Sequence, residues 1–157
     1  MSGTIQLFEV QGTPCTMKMV TTAYDGMSAS YIRFHVFVEE QGVPLDIEMD
    51  GSDQTATSFL MFLDHAPIGT LRYVRINEDT LQLGRIALLK PYRNQGYGKA
   101  LMRWFDTYAL SIFKKVTLTL HAQRHVQSFY EACGYRPIGE PFIEAGIDHI
   151  EMKKDVG

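Results

Sequence analysis

The sequence predicts a mixed α/β fold, a sheet of parallel and antiparallel strands flanked by helices. Three observations predict it. Residues 59–63 (FLMFL) are continuously apolar, as in a strand buried on both faces. Residues 97–112 carry Tyr97, Leu101, Trp104, Tyr108 and Ile112 on one helical face. The elements alternate as β-α-β-β-β-α-β-α-β-β, with hairpins in the middle and crossover helices around them. A length of 157 residues fits a single domain, 1–157. At that size roughly 70% of the unfolded surface is buried, so the core needs no staple.

In chain order, a loose N-terminal segment leads into a short strand at 17–22. Residues 26–41 form a helix whose buried face is Met27, Tyr31, Phe34 and Val38, stopped by Gly42 and Pro44. The stretch 39–53 is an acidic loop with Glu39, Glu40, Asp46, Glu48, Asp50 and Asp53 and no Lys or Arg. Such a field attracts a cationic amine, or it is simply a solvated surface loop. Strands at 59–63, 68–76 and 81–89 follow, joined by turns at His65-Ala66-Pro67 and Asn77-Glu78-Asp79. In the third strand the apolar phase slips from Leu81 and Leu83 to Ile86 and Leu88. A β-bulge at Gly84-Arg85 produces that slip, as does a strand end buried on both faces. Residues 115–120 alternate as a strand, and 124–133 form a helix with Val126, Phe129, Tyr130 and Cys133 on one stripe and Gly134 as its C-cap. Two strands, 136–142 and 147–153, close the chain.

The longest apolar run is far below the roughly 18 residues of a membrane span, and the N-terminus lacks the basic start of a secretory signal. Cys15 and Cys133 cannot form a disulfide framework. A soluble cytoplasmic protein, with no membrane partner, is the expectation. The net charge of −3 and pI near 5.9 argue against nucleic acid. Charge is uneven: residues 1–84 hold 4 basic and 11 acidic side chains, residues 85–157 hold 11 and 7. Either the second part suits a polyanionic ligand and the first a cationic one, or folding interleaves the two and their fields average out.

The chemistry centres on Arg93-Asn94-Gln95-Gly96-Tyr97-Gly98-Lys99-Ala100. Glycines between a strand and a helix let backbone N–H groups point at an anion, where the helix dipole is positive. A Walker loop is excluded because Arg93 occupies its first glycine position and Ala100 follows Lys99. A dinucleotide fingerprint is excluded because Leu101 stands at its third glycine. What remains is Arg-x-x-Gly-x-Gly. Followed by Lys-Ala-Leu, a strand, and a helix bearing Phe-Tyr-Glu-x-x-Gly-Tyr, it resembles the GNAT superfamily of acetyl-CoA-dependent N-acetyltransferases. The segments VFVEEQGVP (36–44), LHAQ (120–123) and GEPFIEAGIDH (139–149) resemble the ElaA-like bacterial branch.

That resemblance covers essentially the whole chain. It implies an acyl-CoA N-acyltransferase fold and acetyl-CoA as cosubstrate. It assigns the backbone of Ile86, Ala87 and Leu88 to the pantetheine arm and acetyl carbonyl. The N–H groups of Gln95, Gly96, Tyr97, Gly98 and Lys99 would hold the pyrophosphate in the loop that includes Asn94, with Arg93 and Lys99 as charge partners. One departure is Gln123, where the family usually has Asn, and another is Val126 for Ala. Tyr130, next to Phe129, matches the family's acid for the departing thiolate. An N–H of the opened strand suits the developing oxyanion. For the general base, Glu40 and His121 are both candidates. His121 and His125 are spaced by four, but no adjacent Glu accompanies them, so no metal is expected. Cys133 reads as a small apolar side chain. Acceptors implied by the resemblance are amino sugars, polyamines, small amines or protein amines. The alternative is a non-catalytic CoA-sensing or interaction module of the same fold, and either form is a monomer or homodimer.

Overall fold

The computed structural model describes residues 6–49 and 55–157, with side chains described from residue 8 onward. The strands are β1 Gln6–Val10, β2 Thr13–Met19, β3 Thr57–Leu63, β4 Ala66–Asn77, β5 Thr80–Leu88, β6 Val116–Gln123, β7 Arg136–Glu144 and β8 Ile147–Val156. The α-helices are α1 Ala23–Arg33, α2 Leu45–Glu48, α3 Tyr97–Ile112 and α4 Gln127–Ala132. The chain divides into two compact units. The first runs to Arg72 and takes in Arg85–Ala100; the second holds Tyr73–Gly84 and Leu101–Gly157. Strands β4 and β5 pass through both.

In the first unit the strand order is β1-β2-β3-β4-β5. The N-terminal stretch expected to be loose pairs instead as a hairpin, with Val10 opposite Thr13 and a left-handed turn at Gln11 and Gly12. Strand β2 then pairs antiparallel with β3 from Cys15↔Leu63 to Met19↔Phe59. It starts earlier than 17 because Cys15 and Met17 alternate into the core, 1% and 0% exposed. Strand β3 has Phe59, Leu60 and Met61 buried in succession, as its apolar run requires. Where β4 meets β5, a Cβ on Gly69 would come within 3.1 Å of the Ala87 carbonyl oxygen, a contact tight enough to favour glycine there.

Helix α1 corrects the expected face. Met27 and Tyr31 are 71% and 58% exposed, and the buried positions are Asp25, Ala29, Ile32 and Arg33. Ala29, Ile32 and Val36 pack against Leu60 and Ala87. Two charged residues occupy the buried stripe because each has a partner: Lys18 Nζ lies 3.0 Å from Asp25, and Glu48 holds Arg33. The helix begins where Thr22 Oγ1 accepts the Asp25 N–H at 3.1 Å. It runs on as a π-helical segment, Phe34–Glu40, whose wider turn rotates later residues out of 3.6-residue phase. Leu45–Glu48 is one helical turn, where a loop was expected, and Asp50 and Asp53 lie outside the described residues.

In the second unit the order is β4-β5-β6-β8-β7. Strands β5 and β6 are parallel from Thr80↔Thr117 to Leu83↔Leu120, and β6–β8 and β7–β8 are antiparallel. The sheet is therefore mixed, as predicted. The β7–β8 register shifts between Ile138 and Phe142. Helix α3 buries Leu101, Met102, Trp104, Phe105 and Ala109, while Ile112 is 51% exposed and belongs to no core face. Lys154 Nζ reaches Asp106 at 2.5 Å and the Cys133 carbonyl at 2.7 Å, tying α3, β8 and the end of α4. The helix expected at 124–133 is a 3₁₀ turn, Arg124–Val126, followed by the short α4. Gly134 terminates it in the left-handed region at φ +97°, as its C-cap position requires.

Candidate active site

The glycine-bearing loop is built in three steps. Strand β5 ends at Leu88, and the Leu89 N–H donates to Ile68 O at 2.9 Å. Pro91 favours the 3₁₀ turn Lys90–Tyr92, closed when the Arg93 N–H donates to Lys90 O at 3.2 Å. Asn94 and Gly96 then take left-handed conformations, φ +61° and +91°. The first bond of α3 is Ala100 N–H to Gly96 O, 3.1 Å, so Gly96 is the residue at which the helix opens. The N–H groups of Tyr97, Gly98 and Lys99 therefore precede the helix ladder, at the positive end of the dipole. Space does not restrict Gly96, whose hypothetical Cβ would sit 3.5 Å from Val10 Cγ1; its φ does. Gln95 Nε2 braces the loop on Pro91 O at 2.9 Å, and buried Tyr97 meets Tyr92 edge to face. This cradle fits a pyrophosphate.

Arg93, at the start of the loop, does not extend into solvent. Its guanidinium makes a bidentate pair with Glu40, Nη1–Oε2 2.8 Å and Nη2–Oε1 3.0 Å, and its Nε donates to Leu88 O at 2.9 Å. Glu40 ends the π-helical segment, so the structure joins this base candidate to the glycine loop.

The second half of β5 lies beyond the β5–β6 ladder, whose register ends at Leu83. Arg85 follows Gly84 with φ +51°, a left-handed residue inside a strand, which costs about 1–2 kcal/mol for a residue with a Cβ. The backbone is thus distorted where the phase slip placed a bulge. Burial does not slip with it: Ala87 is 4% exposed, whereas Ile86 and Leu88 are half-buried. Arg85 Nε stands 2.9 Å from Glu48 Oε2, and Arg33 Nε 2.5 Å from Glu48 Oε1. The Glu48 side chain is 3% exposed. A buried carboxylate is tolerable only with such pairing, and loss of one partner typically costs 3–5 kcal/mol. Sequence reasoning missed this cluster by reading Glu48 as part of a solvated acidic loop. The available signal was Arg33, a charge at a helical position in step with Ala29 and Val36.

The other predicted residues lie in the second unit. Tyr130, on α4, is 8% exposed and packs between Phe129 and Tyr135, centroids 5.1 and 6.1 Å away. Burial, with a smaller effect of Cys133, pushes its phenol well above 10.0, so it keeps its proton at neutral pH. Gln123 closes β6 and its Oε1 lies 2.6 Å from His125 Nε2. His121 Nδ1 lies 3.0 Å from Glu144 Oε1, and buried His149 places Nε2 3.7 Å from the same carboxylate. The Glu144 hydrogen bond raises His121 above 6.5, against the opposing effect of burial. Cys133 is half-buried at the end of α4. Among the described residues no group of three His, Cys, Asp or Glu side chains is arranged to hold a metal, and no helix is long and apolar enough to cross a membrane.

The glycine loop that opens α3, next to the distorted second half of β5, suits an acyl-CoA transferase. The acetyltransferase (GNAT) domain model matches residues 20–156, and the chain belongs to that family. It is an N-acetyltransferase. It is 40% identical over 145 residues to a candidate acetyltransferase of Bacillus subtilis (strain 168), covering 88% of this chain and 95% of the relative. Protein ElaA of Escherichia coli (strain K12) is 29% identical over 129 residues, 80% of this chain and 84% of ElaA. The crystal structure of Escherichia coli ElaA matches with a TM-score of 0.78 and 22% identity, over 97% of this chain and 99% of that one. A GNAT family acetyltransferase from Elizabethkingia anophelis, solved with acetyl-CoA bound, matches with a TM-score of 0.64 and 17% identity over 99% of each chain.

Proposed function

We propose that this protein, a single catalytic domain over 1–157, transfers an acetyl group from acetyl-CoA directly to a primary amine, without a covalent acyl-enzyme. The observation that carries the proposal is the left-handed Gly96 at the opening of α3. It leaves the N–H groups of residues 95–99 for a pyrophosphate, with Lys99 adding positive charge while Arg93, paired with Glu40, braces the loop. The Elizabethkingia fold neighbour, with acetyl-CoA bound, supports the choice of cosubstrate. Acetyl-CoA supplies an acyl group activated as a thioester. The backbone of Ile86, Ala87 and Leu88 orients the pantetheine arm, and the family resemblance adds Gln123 and Phe129 to the residues that bind the cosubstrate. An N–H of the same strand stabilises charge developing on the carbonyl oxygen.

Two proton movements complete the reaction. His121 Nε2 takes a proton from the ammonium form of the acceptor, its Nδ1–H held by Glu144. Tyr130 gives its phenolic proton to the departing thiolate and regains one from the acylated nitrogen, so the ammonium nitrogen loses two protons, one to His121 and one by way of Tyr130 to sulfur, and the amide and free thiol leave. The pairing of Glu40 with Arg93 favours His121 over Glu40 as base, because the guanidinium already occupies both carboxylate oxygens. Carboxylates at Glu39 and Asp46 favour a cationic acceptor. The free thiols of Cys15 and Cys133 fit a cytoplasmic protein.

The test is calorimetric titration with acetyl-CoA of the parent and of Gly96→Asp, followed by a panel of amino sugars, polyamines and peptide amines read by thiol release. Binding by the parent, lost in the variant, with amine-dependent thiol release, is expected. No binding to the parent overturns the proposal; binding without thiol release from any amine turns it into CoA sensing.

A further inference from the structure

Glu48 is held by two arginines. Besides its contacts at 2.5 Å with Arg33 Nε and 2.9 Å with Arg85 Nε, its backbone carbonyl accepts from Arg33 Nη2 at 2.9 Å and from Arg85 Nη2 at 3.2 Å. Arg85 Nη2 also reaches Ile47 O at 3.4 Å. The Arg33 and Glu48 side chains are 4% and 3% exposed, that of Arg85 24%. Helix α2 is a single turn of four residues, too short to persist by itself. Two arginines from α1 and β5 therefore hold it, and it in turn holds them. At the far end of this chain of contacts stands the unusual backbone: Arg85 is left-handed at φ +51° in the middle of β5. A residue with a Cβ persists in that conformation only when its surroundings over-determine it. Its guanidinium, fixed at three points on α2, is what over-determines it.

We propose that Glu48 is a positioning residue: through Arg85 it locks the left-handed kink in β5 and so sets the direction in which Ile86, Ala87 and Leu88 present their backbone to the acyl-CoA arm. The proposal rests on the acetyl-transfer reading for its consequence but not for its geometry. Arg33 serves as the second anchor, keeping the carboxylate paired and in place from the α1 side. The triad carries a net charge of +1, so the cluster has no charge left with which to attract a cationic acceptor. Its role is mechanical.

Two substitutions at one position separate the backbone role from the ion pair. Arg85→Ala and Arg85→Gly both remove the contacts to Glu48 and leave Arg33 paired. Only Ala retains a Cβ, and with it the bias against positive φ. Acetyl-CoA affinity by calorimetry is expected to fall about tenfold in Arg85→Ala and to stay within about threefold of the parent in Arg85→Gly. Glu48→Gln is expected to behave as Arg85→Ala does, and adding Glu48→Gln to Arg85→Gly to cost little more. Equal losses in the Ala and Gly variants, or no loss in either, overturn the proposal.

Hydrogen exchange at the Ile86, Ala87 and Leu88 amides gives a readout independent of cosubstrate. Exchange should accelerate in Arg85→Ala and Glu48→Gln and remain near the parent in Arg85→Gly. If the parent binds no acetyl-CoA, the acetyl-transfer reading fails and the exchange pattern alone decides the kink. If Glu48→Gln does not fold, the Ala–Gly contrast still decides it.

Discussion

The Arg93 guanidinium and the Glu40 carboxylate face each other in two contacts, 2.8 and 3.0 Å, while Arg93 Nε holds the last carbonyl of β5. One side chain thus connects the π-helical segment, the strand end and the glycine loop. Arg93→Lys keeps the charge and loses the fork. Because both side chains are about a third exposed, the effect is modest. Acetyl-CoA affinity should fall about threefold to fivefold, equally in Arg93→Lys and Glu40→Gln. A loss in the arginine variant alone, measured by calorimetry, assigns Arg93 to direct phosphate contact instead.

Tyr130→Phe removes one oxygen from a packed side chain. Turnover should fall about a hundredfold, the scale of a lost general acid, with acetyl-CoA affinity unchanged. Steady-state kinetics beside calorimetry check it. Unchanged turnover removes Tyr130 from the proton path.

His121 should titrate above 6.5 by proton NMR, and Glu144→Gln should lower its midpoint. Because the folded value is raised, the stability this pair contributes is present below pH 6.5 and is lost as pH rises through the folded midpoint. In kinetics the acidic limb of kcat/KM should move to lower pH in Glu144→Gln and disappear in His121→Ala.

Alkaline pH should weaken the fold. Burial raises Tyr108, Tyr130 and Tyr135 above 10.0, with the Tyr73 hydrogen bond adding to Tyr108 and the charge of Asp106 to Tyr135. Their stability is present below pH 10.0 and declines above it, as the unfolded chain ionises first. Denaturant midpoints should therefore drop between pH 9 and about pH 11, and drop less in Tyr130→Phe.

Strands β3, β4 and β5, helix α3 and the glycine loop were legible because apolar runs, helical spacing and glycine placement each act locally. The face of α1 was not. Its stripe contains Asp25 and Arg33, charges that hydropathy assigns to water, and Lys18 and Glu48, seven and fifteen residues away, help make their burial possible. The β1–β2 hairpin was missed although Gly12 marked its turn, since its strands mix polar and apolar residues. The backbone kink at Arg85 left a trace in the apolar phase, but its anchor did not: Glu48 sits among other acidic residues and differs from them only in what it touches. Likewise, its place at the end of a strand and the chemistry of imidazole made His121 a base candidate, while Glu144 lies 23 residues on and meets it through the β7–β8 hairpin.

Strand β7 closes its side of the strand order, and its composition bears on behaviour at high concentration. Pro137 and Pro141 offer no N–H, Gly139 turns left-handed at φ +74°, and the register breaks between Ile138 and Phe142. An incoming chain seeking to extend the ladder meets gaps where it needs donors and a twist where it needs a flat rail. Along this border the protein is built to refuse self-templating, so concentrated solutions should resist fibril growth by that route even though Ile143 stands 70% exposed on the same strand.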